Sequence, residues 1–221
     1  MENLLKITLY FHVAFGFTAL LAGVLAIFFP KGGKNHNVSG IVYYWCMIGI
    51  GTTAFVIAIP KGNMFLLMIG GFSTYMTLTG RRYLQLRKSK LPKFSNLDLF
   101  FRIVALATIL IPIIYFGING VADLGDFGIV FTVFGIFLLS MVWVDFKAGG
   151  KLHTFSKNWF LGMHISRMMG AFIATFTAFL LINWQSDPVF IAWLLPTVIF
   201  TPVIIYYQRK FKTKSKTVTL P

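Results

Sequence analysis

Seven long apolar runs occupy residues 7–29, 41–59, 64–80, 100–118, 129–146, 159–182 and 189–207, and polar and charged residues gather between them. Each run is close to the length of about 20 residues that a helix needs to cross a hydrocarbon core of about 30 Å. The pattern predicts an all-α fold, a polytopic transmembrane bundle of about seven helices. The first run is too long for the core of a signal peptide and no clear cleavage site follows it, so it is expected to remain a helix. On this reading residues 1–208 form the membrane domain and 209–221 a basic cytoplasmic tail.

Composition agrees with the pattern. The chain is 57% hydrophobic and 12% charged, with a mean hydropathy of +0.78. Soluble domains carry about 25% charged residues, so the solvent of this chain is lipid. The formal charge of +14 would suggest nucleic acid in a soluble protein, but its distribution gives another explanation. The segments after the first, third, fifth and seventh runs hold 16 of the 20 lysines and arginines, and the opposite side has only Lys6 and Lys61. The positive-inside rule then places the chain in the inner (plasma) membrane, N-terminus outside and tail in the cytoplasm. The basic clusters meet the anionic inner leaflet, and no nucleic-acid role is needed. Trp143 and Trp159 near the inner face, with Trp184 and Trp193 near the outer, fit interfacial aromatic belts. The single cysteine, Cys46, excludes an intrachain disulfide framework.

Two interhelical loops share a motif. Residues 31–40 read KGGKNHNVSG and residues 149–153 read GGKLH, with Ser39 and Ser156 each three residues after the histidine. Both loops fall on the cytoplasmic side, after runs one and five. Their equivalent positions suggest a parallel repeat of three helices each, with the fourth as a link. The paired glycines suit a tight turn after a helix end, and the lysine complements the helix C-terminal dipole. A turn does not need the histidines.

The six acids, Glu2, Asp98, Asp123, Asp126, Asp145 and Asp187, are expected near helix ends or in loops, which argues against a buried carboxylate relay. No HExxH motif or GxSxG elbow is present, and no catalytic constellation is assigned. Inside the runs stand His12, and His164 with Arg167 on one helix face. Arg167 is read either as snorkelling or pairing with Asp145, or as binding a ligand. Small residues recur every fourth position at Gly162, Ser166, Gly170, Ala174 and Ala178, and at Ala14, Thr18, Ala22 and Ala26. They are expected to be packing ridges that draw helices one and six into the core. Pro112, Pro196 and Pro202 are expected to kink their helices.

A haem held by two histidines is disfavoured, because His12 and His164 differ by about 15 Å in expected depth. His36, Cys46, His153 and His164 lie nearer one level and are the metal candidates, though their spacing matches no recognised ligand pattern.

The stretches FHVAFGFTALLAG and KGGKNHNVSGIVYYW, with MHISRMMGAFIATFTAFLLIN and WLLPTVIFTP, resemble a family of bacterial multi-spanning membrane proteins of unknown function. The resemblance covers nearly the whole chain and implies the same architecture, with no activity to carry over. Its motifs include His12, His36, His164 and Arg167. Where relatives follow the loop histidine with arginine, this chain has Asn37.

The residues thus favour a membrane protein that binds or moves a small molecule through a polar site near the cytoplasmic face. Its ligand-binding candidates are His36, His153, His164, Arg167 and His12, and no cofactor is assigned. The alternatives are a haem- or metal-binding redox protein and a non-catalytic scaffold subunit.

Overall fold

The computed structural model describes residues 1–120, 127–184, 187 and 190–216. Asp123, Asp126, the expected start of the seventh run at Val189 and the end of the tail at 217–221 lie outside the described residues. Among the described residues there are seven α-helices and no strand. These are α1 (Glu2–Phe28), α2 (Lys34–Lys61), α3 (Met64–Lys88), α4 (Asn96–Asn119), α5 (Phe127–Gly149), α6 (Lys157–Asn183) and α7 (Phe190–Lys216), with a 3-10 turn at Leu152–Thr154. All but α3 are long and apolar enough to cross a membrane, and the chain has the architecture of a multi-pass membrane protein.

Local chemistry sets several ends. Ser95 and Asp98 form a reciprocal capping box at the start of α4, the carboxylate accepting the Ser95 N–H at 2.6 Å. Ser156 caps α6 by accepting the Trp159 N–H. Gly62 ends α2 in the left-handed conformation that glycine adopts without strain. Pro112, Pro196 and Pro202 lie inside continuous helices, so each is a local perturbation and not a break.

α3 departs from expectation in two ways. It continues past residue 80, so Arg81, Arg82, Arg87 and Lys88 ride on a helix rather than in a loop. RRYLQLRK is rich in good helix formers, and Tyr83 and Leu86 are buried three apart on one face. It also carries Ser73, Thr74, Tyr75, Thr77 and Thr79, which make it too polar for a lipid-facing helix. Ser73, Tyr75 and Thr77 are buried, which removes that requirement.

The chain divides into two compact units, Met1–Tyr75 with Lys93–Leu152, and Met76–Pro92 with His153–Pro221. In the first, small residues set the close approaches. A Cβ on Gly51 would run into Thr74 Oγ1, one on Gly70 would fall 3.1 Å from Ala54 Cβ, and one on Gly71 2.6 Å from Thr108 Cβ. Phe72 meets Phe134 edge-on at 5.0 Å between ring centroids. α1 lies against α2 through Ala19, Ala22 and Gly23, but Ala14 and Thr18 are exposed. The buried line of α1 is therefore rotated from the expected ridge, and most of α1 faces outward.

In the second unit α6 and α7 form an antiparallel hairpin. Phe172 meets Phe200 edge-on, Gln208 donates to Ser166 Oγ at 2.5 Å, and Asn158 donates to the Phe211 carbonyl at 2.6 Å. Of the expected α6 ridge, Gly170 packs against Met76 and Ala174 is buried, whereas Gly162 has open space beside it and Ala178 is exposed.

Gly71→Ala should lower stability by about 1–3 kcal/mol, because stiff, β-branched Thr108 occupies the space of the new methyl. Gly16→Ala, with nothing within 4 Å of the added carbon, should be neutral or slightly stabilising. Thermal unfolding in one mild detergent compares the two, and equal effects would contradict the packing described here.

Candidate functional site

Three of the four histidines are hydrogen-bonded between segments. His12 Nδ1 lies 2.8 Å from Thr53 Oγ1, whose hydroxyl is also within hydrogen-bond distance of the carbonyls of Gly49, at 2.7 Å, and Ile50, at 3.0 Å. The contact ties α1 to α2. His36, in the first turn of α2, donates from Nδ1 to the Ala26 carbonyl near the end of α1 at 2.9 Å. His164 on α6 donates from Nδ1 to the Gly80 carbonyl of α3 at 2.8 Å. Because a carbonyl only accepts, His36 and His164 carry a proton on Nδ1. His153 is exposed on the 3-10 turn.

The two GGKxH loops fold differently. After α1, Gly32 takes a left-handed φ of 82° and Gly33 is the N-cap of α2. Lys31 turns back to donate to the carbonyls of Ala26, at 2.9 Å, and of Ile27, closing the end of α1. Burial lowers the pKa of its ammonium. Asn37 donates to the Gly32 carbonyl at 3.3 Å and braces the loop. After α5, Gly149 still belongs to the helix, and a turn and the 3-10 segment precede α6. Ser39 is buried inside α2, while Ser156 is a helix cap. The shared letters do not produce a shared loop geometry.

His164 and Arg167 do lie together. A Cβ on Gly80 would fall 3.1 Å from Arg167 Cβ, at the residue whose carbonyl holds His164. Arg167 is only 3% exposed and stands about 15 Å into α6 from Lys157. Tyr83, Phe155, Trp159 and Phe160 form an aromatic cluster nearer the start of that helix, with Phe155 stacked on Trp159 at 4.1 Å.

His12 and His36 are separate from each other. His12 lies about 20 Å along α1 from the Ala26 carbonyl that holds His36, and Cys46 about 15 Å along α2 from His36. Among the described residues no three of His, Cys, Asp and Glu come together as a metal-holding group.

The burial of two polar groups was not expected from the sequence. Asp145, expected near an interface, is 1% exposed and accepts the Tyr75 hydroxyl at 2.5 Å. Its register was a signal, because Leu138, Val142, Asp145 and Ala148 follow one another at helical spacing on the buried face of α5. Arg102 is 6% exposed, with its guanidinium carbon 4.1 Å from the Phe94 ring centroid and 4.9 Å from that of Phe146. There the signal was the Ser95–Asp98 capping box, which places Arg102 about 9 Å inside α4.

No protein-family model, curated protein or solved structure matches the chain.

Tyr75→Phe removes a donor from a buried carboxylate and should lower stability by about 1–3 kcal/mol. Tyr115→Phe, at a 37% exposed ring, should stay within about 0.5 kcal/mol of the parent. Detergent unfolding curves of both variants measure the difference, and an unaltered Tyr75→Phe would show that the bond contributes nothing.

Proposed function

We propose that this is a multi-pass protein of the inner (plasma) membrane, N-terminus outside and C-terminus cytoplasmic, that binds or carries a small anionic molecule at a polar site on α6. The distribution of lysine and arginine supports the orientation. The observation that carries the function is the burial of Arg167, 3% exposed in a helix long and apolar enough to cross a membrane.

A charged side chain at the centre of a membrane helix costs about 2.5–3.5 kcal/mol on insertion scales. A leucine or methionine would fill the same volume without that penalty, so a reason to keep charge is needed. Arginine holds its proton at every physiological pH and presents a planar fork of donors matched to carboxylate and phosphate. His164 stands one turn away on the same face, its Nδ1 anchored to Gly80. Anchoring fixes the ring while the opposite edge stays chemically distinct, as an orienting group requires. His36 is in the first turn of α2 and His153 on the exposed 3-10 turn, and neither is assigned to this minimal site.

The test uses the full chain in mild detergent, with thermal midpoints in inorganic phosphate, a short monocarboxylate and a short dicarboxylate at matched ionic strength. One class should stabilise the parent, by about 2.7 kcal/mol at a hundredfold excess over Kd. Arg167→Met should fold and lose the response, and Arg167→Lys should keep part of it. An unresponsive parent, or a response preserved in Arg167→Met, would remove the proposal.

A further inference from the structure

Arg102 stands in the first unit and raises a question independent of Arg167. Its side chain leans toward the start of α4, as helical side chains do. The ring of Phe94, which precedes the helix, and the ring of Phe146 of α5 both lie against the guanidinium. The charge is thus level with the beginning of the helix, where a membrane helix leaves the hydrocarbon for the headgroups.

Aromatic rings meet a guanidinium through their negative π faces, whereas arginine's five N–H donors point outward in its own plane. Stacking therefore leaves the hydrogen-bonding edge unused. Nη2 is buried and meets no acceptor. The described acids of this unit are engaged elsewhere: Glu2 pairs with Lys6 at 2.8 Å, Asp98 closes the capping box, and Asp145 accepts from Tyr75. Lys93 and Lys147 flank the two aromatic residues in sequence, and Lys147 lies over the Trp143 ring. Asp98 precedes Arg102 by one turn and Asp145 precedes Phe146, but among the described residues neither is ion-paired with Arg102.

We propose that Arg102 is the receptor of a phosphate-bearing ligand, its guanidinium clamped by Phe94 and Phe146 so that the free edge binds the phosphate oxygens in its plane. Phosphate is the oxyanion expected at this level, because phospholipid headgroups lie there. A free phosphate compound from the aqueous phase offers the same oxygens. Orienting the fork by stacking before the anion arrives reduces the entropy lost on binding.

The test uses the full chain delipidated in dodecyl maltoside, which carries no phosphate, with two arms. One adds inorganic phosphate against chloride at equal ionic strength; the other adds phosphatidylglycerol against a phosphate-free glycolipid. Thermal midpoint and native mass spectrometry are read together. The parent should be stabilised in at least one arm and retain one bound phosphate or one phosphatidylglycerol. A response confined to the first arm identifies a soluble phosphate compound, and one confined to the second identifies a lipid headgroup. Arg102→Met should lose the response, and Arg102→Lys, which keeps charge but not the fork, should bind about tenfold more weakly. Arg102→Lys decides the matter if Arg102→Met fails to accumulate. A parent indifferent to both probes, or either variant binding as the parent does, would overturn the assignment. Arg167→Met should respond here like the parent, which separates this site from the one on α6.

Discussion

The close approach of α3 to its neighbours is the constraint on which the polar chemistry of this chain depends. Hydrocarbon offers no partners to a hydroxyl, a carboxylate or a guanidinium, so such groups persist in a membrane only where protein surrounds them. In the first unit Gly51, Gly70 and Gly71 remove the side chains that would hold helices apart. That proximity encloses Ser73 and lets Tyr75 reach Asp145. In the second unit the same helix offers the Gly80 carbonyl to His164 and shares Gly80's bare face with Arg167. α3 is polar because the other helices are apolar: Phe11, Phe17 and Leu25 of α1 and Ile111, Ile113 and Ile114 of α4 present the exposed surface that lipid covers.

The ionisable groups divide by what their bonds accomplish. His12, His36 and His164 each use Nδ1 to join two segments, a role that leaves the fold in need of an imidazole but says little about a ligand. Lys31 is absorbed in the same way, its ammonium spent on the carbonyls at the end of α1. Arg102 and Arg167 are set apart by burial: both are nearly inaccessible, in helices that otherwise read as membrane-crossing. The functional weight that the sequence spread over four histidines and an arginine therefore moves toward the two arginines.

Helix number and placement were legible because hydrophobic run length is a property of the chain alone. What hid was everything decided by which face a neighbour covers. The spacing of Ala14, Thr18, Ala22 and Ala26 announces a ridge, yet α2 packs one step around the helix, on Ala19, Ala22 and Gly23. Asp145 sits four residues from the end of α5, and position along the helix suggested an interface, whereas its side chain is enclosed. The run ending at residue 80 concealed the extension of α3 to Lys88, because arginine lowers hydropathy without weakening a helix. The GGKxH pair misled for a related reason: four letters fix a local preference for a turn, and the surrounding helix ends decide which turn forms.

Arginine rather than lysine at the two buried positions follows from the same physics. A lysine enclosed in apolar surroundings relieves its desolvation by losing its proton, and burial lowers the pKa even of half-buried Lys31. Such a residue would become a neutral amine and cease to attract an anion. Arginine's proton is held too tightly for that escape, so an enclosed guanidinium remains a cation and must be compensated by something other than deprotonation. At Arg102 the compensation within the protein is a pair of aromatic rings, which offset the charge and leave Nη2 without an acceptor. An arrangement that stabilises a charge while withholding its hydrogen-bond partner is poorly suited to a purely structural role, where a carboxylate or backbone carbonyl would complete the set. It is well suited to a group that waits for an oxyanion.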